Sequence, residues 1–263
     1  MKRAIVTGAS RGIGSAIARA LAGAGFQVIG TSRDPAAIPP AQRIEGVRYL
    51  PLDLRDANSI EMFAAEAGTV DVLVNNAGES QIGAVEEVPL ERMRGLFEAN
   101  LFGGLRLTQL MLPAMRARGS GTIVNIASFA GVSPVPFLSV YAASKAALIA
   151  ISRGLRAEVA PFGIRVAVVA PFDIRTSIPL EVVSPGGSPY SATLGRVRTV
   201  RDRFLAEAPD ARIVADRVVA IVASHRPRFF HPVGRGAGVT ALLVRLLPGA
   251  AVEAAVRKRF GLR

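Results

Sequence analysis

The feature that most constrains this chain is a repeated pairing of a short, mostly apolar run with a longer stretch of helical spacing. VDVLVNN (Val70–Asn76), GTIVNIAS (Gly121–Ser128) and IRVAVVA (Ile164–Ala170) carry almost no alternation of polar and apolar residues. A strand apolar on both sides must be covered on both faces, as in a parallel sheet flanked by helices. Arg3–Thr7, Gln27–Thr31, Val47–Leu50 and Arg228–Val233 bring the candidate strands to seven. Between them lie Gly12–Ala24, with Ile13, Ile17, Ala20 and Leu21 on one side, and Asp56–Ala67, with Asp56 placed to cap it. Leu90–Arg118 and Ser139–Ala160 are longer, the second ended by Pro161 and Gly163. The pattern predicts an α/β protein, a single doubly wound (Rossmann) domain with a parallel, seven-stranded sheet and helices on both faces. No repeat or linker divides the 263 residues, so one domain over 1–263 is expected. Within it, 171–208 reads as a substrate loop or lid, opening on the Pro-, Gly- and Ser-rich Pro171–Tyr190, and 234–263 as a basic C-terminal tail.

Composition removes several classes of function. There is no cysteine, which excludes disulfides, iron–sulfur clusters and thiolate zinc sites. His225 and His231 are the only histidines and have no acidic cluster near them in sequence, so no metal site is expected. The opening MKRAIVTGAS lacks the apolar length of a signal peptide, and no charge-free apolar run reaches membrane-spanning length. A soluble, cytoplasmic protein is expected. The net charge of +12 is uneven: residues 1–195 hold 18 Lys/Arg against 15 Asp/Glu, and residues 196–263 hold 14 against 5. A basic final quarter suits an anionic membrane or nucleic acid. Its basic residues are scattered among apolar ones rather than blocked together, which argues for solvated helix faces and against nucleic acid.

The first turn, TGASRGIG (Thr7–Gly14), follows a strand and opens a helix. Glycines there let the backbone approach a pyrophosphate, and the helix N-terminus offers free N–H groups and a positive dipole end. The spacing is G-x-x-x-G-x-G, with Gly8, Ser10, Arg11, Gly12, Ile13 and Gly14 lining the cradle. At the end of the second strand, Ser32 stands where an acid would bind the ribose 2′-hydroxyl of NAD, and Arg33 follows it. Arg33 and Arg11 together suit a 2′-phosphate, because planar guanidinium groups contact phosphate in a bidentate way. The expected cofactor is therefore NADP(H).

In order along roughly Lys2–Thr176, these segments resemble the short-chain dehydrogenase/reductase family. TGASRGIG resembles its cofactor turn, and DLRD (Asp53–Asp56) supplies Asp53, with Leu54 beside it, for the adenine. NNAG (Asn75–Gly78) brings Asn76, Ala77 and Gly78 along the adenosine. EANLFG holds Asn100, which matches the family's proton-relay position. Ser128 and the Tyr141–Lys145 pair of YAASK stand thirteen residues apart, the family's usual separation. The resemblance implies hydride transfer with a Ser-Tyr-Lys-Asn tetrad. Tyrosine is a poor acid or base near neutral pH, with a reference pKa of about 10. Lys145, one helical turn after Tyr141, is expected to lower that value and to bind the nicotinamide ribose. Ser128 is expected to hold the carbonyl oxygen. The backbone of Ile174 and the hydroxyl of Thr176 are expected to hold the carboxamide.

One residue departs from the family pattern. After the sixth strand PFDIRT (Pro171–Thr176) has Phe172 where the family has glycine, so a phenyl ring should stack beside the nicotinamide or narrow the pocket. Three segments should wall that pocket: Glu79–Ile82, Ser133–Leu138 and the loop after Thr176. The apolar SPVPFL suits a lipophilic carbonyl, and the long tail, with Leu246–Leu262, is similar to the 17β-hydroxysteroid and retinol dehydrogenase-like branch, which implies a hydrophobic ketone or aldehyde and its alcohol. The resemblance also implies a homodimer or homotetramer packed on the two long helices. A basic amphipathic tail suits peripheral contact with anionic membrane. The alternative is a non-catalytic NADP(H)-binding sensor or scaffold with a basic surface, and a narrower one is an NAD-linked enzyme of the same fold.

Overall fold

The computed structural model describes residues 1–176 and 178–262; positions 177 of the expected lid and 263 of the expected tail lie outside the described residues. The chain runs β1 (Arg3–Val6), α1 (Gly12–Gly23), β2 (Gln27–Ser32), β3 (Val47–Pro51), α2 (Ala57–Ala67), β4 (Val72–Asn75), β5 (Ser80–Gly83), α3 (Leu90–Phe97) and α4 (Gly103–Arg118). It continues through β6 (Gly121–Ile126), α5 (Ser139–Val159), β7 (Ile164–Pro171), β8 (Leu180–Val183), α6 (Ser191–Ala206), α7 (Arg212–Ala223), β9 (Phe230–Val233), α8 (Ala237–Leu246) and α9 (Gly249–Arg259). Seven strands form one sheet in the order β3-β2-β1-β4-β6-β7-β9, every neighbour parallel. All seven expected strands are present.

The continuous apolar runs explain the layering. Successive residues of β1 face opposite sides: Ala4 and Val6 pack with Ile17 and Leu21 of α1 and with Val214, Val218 and Ile221 of α7. Ile5 points the other way, onto Phe63 of α2 and Leu107, Met111 and Met115 of α4. Each of the larger of these side chains, once buried, contributes about 1.5–3 kcal/mol. The chain leaves β1 toward β2 and β3 and returns through β4 toward β6, β7 and β9. The order therefore reverses between β1 and β4, where a crevice forms beyond the strand C-termini.

Asp56 caps α2 as expected, its carboxylate accepting the Asn58 N–H at 2.9 Å. The long helical stretch Leu90–Arg118 is interrupted at Asn100: a π turn over Glu98–Phe102 separates α3 from α4 and holds that buried side chain. One feature differs from the sequence reading. The 80–83 and 180–183 segments form an unforeseen two-stranded parallel sheet, Ser80 opposite Leu180 and Gly83 opposite Val183. Four-residue strands with no period-two pattern give too little signal to be found in sequence. Among the described residues, no helix is long and apolar enough to cross a membrane.

Candidate active site

A cavity of about 780 Å³ occupies the crevice. Its floor is the glycine turn, held by a short polar clamp. Thr7 Oγ1 accepts the N–H groups of Asn76 and Ala77, both at 2.9 Å, and Asn76 Nδ2 donates to Thr7 O at 2.8 Å. Gly8 N–H donates to Thr31 Oγ1 at 3.1 Å, which ties the turn to the end of β2. Neither threonine stood out in the sequence. The turn and the Asn76–Gly78 segment touch so closely that side chains are excluded. A Cβ on Gly14 would lie 2.1 Å from Gly8 O and 2.5 Å from Asn76 Nδ2. Gly8 itself adopts φ +67°. Gly14→Ala must therefore push α1 off the turn, at a cost of roughly 1–3 kcal/mol by overpacking. Chemical denaturation should show that loss, together with weakened dinucleotide binding; an unchanged midpoint with unchanged binding would contradict the packing.

The clamp leaves the first N–H groups of α1 facing the cavity, and Ser10, Arg11, Gly12 and Ile13 line it with Gly8 and Gly14. Arg11 occupies the N-cap position with extended backbone, φ −158°. Arg33 and Asp34 follow β2 on the rim, and the Asp34 carboxylate is engaged by the backbone N–H groups of Ala36 and Ala37. Arg33 Nη1 lies 3.9 Å from Glu79 Oε1 with its side chain 62% exposed, a weak pair that leaves the guanidinium available. Asp53 and Leu54 line the same end, Asp53 fixed by the Arg55 N–H on its carboxylate. These features fit a dinucleotide: free helix-end donors, glycine surfaces that no side chain obstructs, and cations at the far end.

The same cavity is lined by Ser128, Tyr141 and Lys145. Ser128 ends the segment after β6, and its Oγ accepts the Ala130 N–H at 3.2 Å, so its own proton remains free to donate. Lys145 is buried and its Nζ donates to Ile126 O at 3.2 Å. Burial lowers its pKa from 10.5 to about 8. Tyr141 keeps a partly exposed ring, yet its hydroxyl is desolvated. That burial raises it above its ordinary value of 10, opposed by the hydrogen bond of Ser128 and then by the positive charge of Arg201. The sequence expectation was that Lys145 would lower the tyrosine. Here desolvation outweighs the opposing influences, and the cation that opposes it is Arg201 of α6, which the sequence did not single out.

Asn100 does not line the cavity. Its Oδ1 accepts the Glu79 N–H at 2.8 Å, and its Nδ2 donates to Glu79 O and to Ser144 Oγ, both at 3.0 Å. Ser144 Oγ in turn donates to Tyr141 O at 2.7 Å. Asn100 thus pins the strand-end turn to the helix that carries the tyrosine. Gly78 separates these groups: a Cβ there would lie 2.7 Å from Asn100 Oδ1 and 3.4 Å from Lys145 Nζ.

Phe172 lines the cavity, as expected from its place after β7, and its ring is held by neighbours. It packs on Phe129 with centroids 4.7 Å apart. The Arg259 guanidinium sits 4.9 Å from its centroid and 4.2 Å from that of Phe204. Arg259 also pairs with Asp173, which adopts φ +44°. The tail therefore folds back onto the site, with Val252, Val256 and Phe260 of the α9 region among the lining residues. Ile174 and Thr176 also line the cavity, and each of the three segments expected as pocket walls contributes lining residues, with Glu79, Val135, Leu138, Ile178 and Pro179 among them.

The family model for short chain dehydrogenases matches residues 2–186. An uncharacterized oxidoreductase of Bacillus subtilis, YusZ, is 34% identical over 275 residues, covering 98% of each chain. A 3-ketodihydrosphingosine reductase of Bacteroides thetaiotaomicron is 32% identical over 248 residues, covering 93% of this chain and 84% of its own. A short-chain dehydrogenase from Streptomyces avermitilis superposes with a TM-score of 0.83 at 38% identity, over 98% of this chain and 95% of its own. With the glycine turn, the Ser128–Tyr141–Lys145 wall and these relatives agreeing, the chain belongs to the short-chain dehydrogenase/reductase family of nicotinamide-dependent oxidoreductases.

Proposed function

We propose that the protein interconverts a hydrophobic ketone or aldehyde and its alcohol with NADP(H). The observation that carries this reading is that Tyr141 and Ser128 line the same cavity as the glycine turn. The bound nicotinamide supplies or takes the hydride. Tyr141 gives the proton to the developing alkoxide; at neutral pH its raised pKa keeps it protonated, ready to donate. Ser128 donates to the same oxygen with the proton its cap bond leaves free. Lys145 binds the ribose and returns the proton to Tyr141, its pKa near 8 lying close to physiological pH. Asn100 serves the relay by fixing the α5 turn through Ser144. Ile174 and Thr176 hold the carboxamide.

Support for a lipophilic carbonyl comes from the lining by Val135, Leu138, Ile178, Phe204, Leu205 and Val256, and from the ketone named for the Bacteroides relative. The exposed Phe102 and Ile151, at α4 and on α5, support a homodimer or homotetramer packed on these helices. Following NADPH absorbance across a panel of ketones and aldehydes tests the activity. Tight cofactor binding with no turnover on any member would favour the sensor reading instead.

Cofactor choice has its own test. Charge-assisted contacts are each worth about 1.5–3 kcal/mol, so Arg33→Ala should weaken NADPH about tenfold to a hundredfold and leave NADH nearly unchanged. Equal losses for both cofactors, read by fluorescence titration, would overturn the 2′-phosphate assignment.

A further inference from the structure

The outward face of α8 is apolar. Val239, Leu242, Leu243 and Leu246 recur at i, i+3, i+4 and i+7, so they form one stripe. They are 66%, 56%, 47% and 69% exposed, and Leu247 beyond them is 44% exposed. Four of these five are among the most exposed large apolar side chains of the described residues outside the first residue, and they crowd into one ten-residue helix. The opposite side of α8 faces the active-site cavity through Thr240 and Val244. Leu243 and Leu247 do both: they line the cavity and remain half exposed, so they stand at its rim.

The charge around the stripe is one-sided. From Arg217 onward the chain holds a single acidic residue, Glu253, against nine Lys/Arg. Arg235, Arg245, Arg257 and Lys258 are exposed on or beside α8 and α9. Within the basic tail expected from the sequence, α9 turns Val256 and Phe260 inward on Leu138, Leu194 and Val197. The unpartnered apolar face belongs to α8.

We propose that α8 docks this protein on an anionic lipid surface, with the leucine stripe seated among the acyl chains and the surrounding arginines on the headgroups. An interfacial helix has this combination of an apolar stripe and a basic flank. A second copy of the chain is a poorer occupant, because a symmetric contact would bring the same basic residues together. The rim position of Leu243 and Leu247 then opens the cavity toward the lipid layer. The step that follows, entry of a lipophilic carbonyl from that layer, rests on the function proposed above.

The test uses the full chain with vesicles of phosphatidylcholine alone or mixed with phosphatidylglycerol. Wild type should co-sediment with the anionic vesicles, less so as salt rises, and not with phosphatidylcholine. Leu242→Asp/Leu246→Asp should lower vesicle partitioning at least about tenfold. Neither leucine lines the cavity, so reduction of a water-soluble carbonyl should be unchanged and reduction of a vesicle-partitioned one should fall. Arg245→Glu, which leaves the stripe intact, should weaken binding to anionic vesicles alone. The proposal is overturned if wild type binds neither vesicle, if both variants bind like wild type, or if the double variant instead splits an oligomer in sedimentation. Vesicle binding is read without turnover, so its failure and a failure of the proposed chemistry appear separately.

Discussion

Tyr141→Phe is expected to lower turnover between about a hundredfold and ten-thousandfold, the range of a general acid removed from its reacting atom. The substitution deletes one oxygen from a ring packed with Leu138 and Val135, so the wall should stay in place. The same hydroxyl offers the cofactor one hydrogen bond at most, worth about 0.5–1.5 kcal/mol, so NADPH affinity should change by less than about tenfold. A stopped-flow or steady-state trace at saturating NADPH separates the two quantities. Turnover kept within tenfold of wild type would remove Tyr141 from the chemistry, and a lost affinity with normal turnover would make it a binding residue only. The pH dependence has a definite sign. A phenol raised above 10 stays protonated through neutrality, so the reductive direction should be flat up to about pH 8 and fall beyond it as Lys145 loses the proton that reloads Tyr141, and the oxidative direction should gain as pH rises.

Lys145→Met should move activity and stability in opposite directions. Turnover should fall by about a hundredfold or more, since the buried cation no longer reloads Tyr141. Stability of the cofactor-free protein should rise at neutral pH. In the unfolded chain this amine titrates near 10.5, and in the folded chain near 8. The folded state therefore holds the proton less tightly, and its cost is fully present below about pH 8. That cost amounts to about 3 kcal/mol, less about 1 kcal/mol for the lost bond to Ile126 O. Between pH 8 and 10.5 the unfolded chain is the one still protonated, so wild-type stability recovers and the advantage of the variant shrinks. Denaturant midpoints at pH 7 and pH 9.5 measure it. A variant less stable at pH 7, or a gap independent of pH, would show that the amine carries no such burden.

The layout of the fold was legible because its signal is strong and local. Strands such as Ile164–Pro171 are buried on both faces, and that requirement writes itself into an unbroken apolar run. The glycine turn was legible for a similar reason: Gly14 has no room for a side chain, so the constraint acts on residue identity. What escaped were partners brought together from far apart. Arg201 sits on a helix sixty residues after Tyr141, Arg259 meets Phe172 and Phe204 from the last helix, and Thr7 meets Asn76 across two strands. Nothing in the neighbourhood of any one of them announces the other. Phe172 shows the difference: the departure from glycine was visible at once, while its meaning needed the arginine that lies 87 positions later. The inner polar joint of Asn75, Thr108, Asn125 and Ser152 was equally hidden, since each reads alone as an ordinary strand or helix residue.

The widened turn at Glu98–Phe102 acts as a phase shifter between two helical segments. A π turn carries one residue more than an α turn, so it advances everything after it by one place along the chain without moving the axis. Upstream, Leu96 answers to the core, and downstream Leu107, Met111 and Met115 answer to the sheet, each face with its own register. The surplus residue absorbs the mismatch and leaves Asn100 free to face Glu79 and Ser144. Two design problems, packing a helix and aiming an amide, are thereby uncoupled. Substitutions in the α4 core can accumulate without turning the amide, and the amide can be re-aimed without repacking the core.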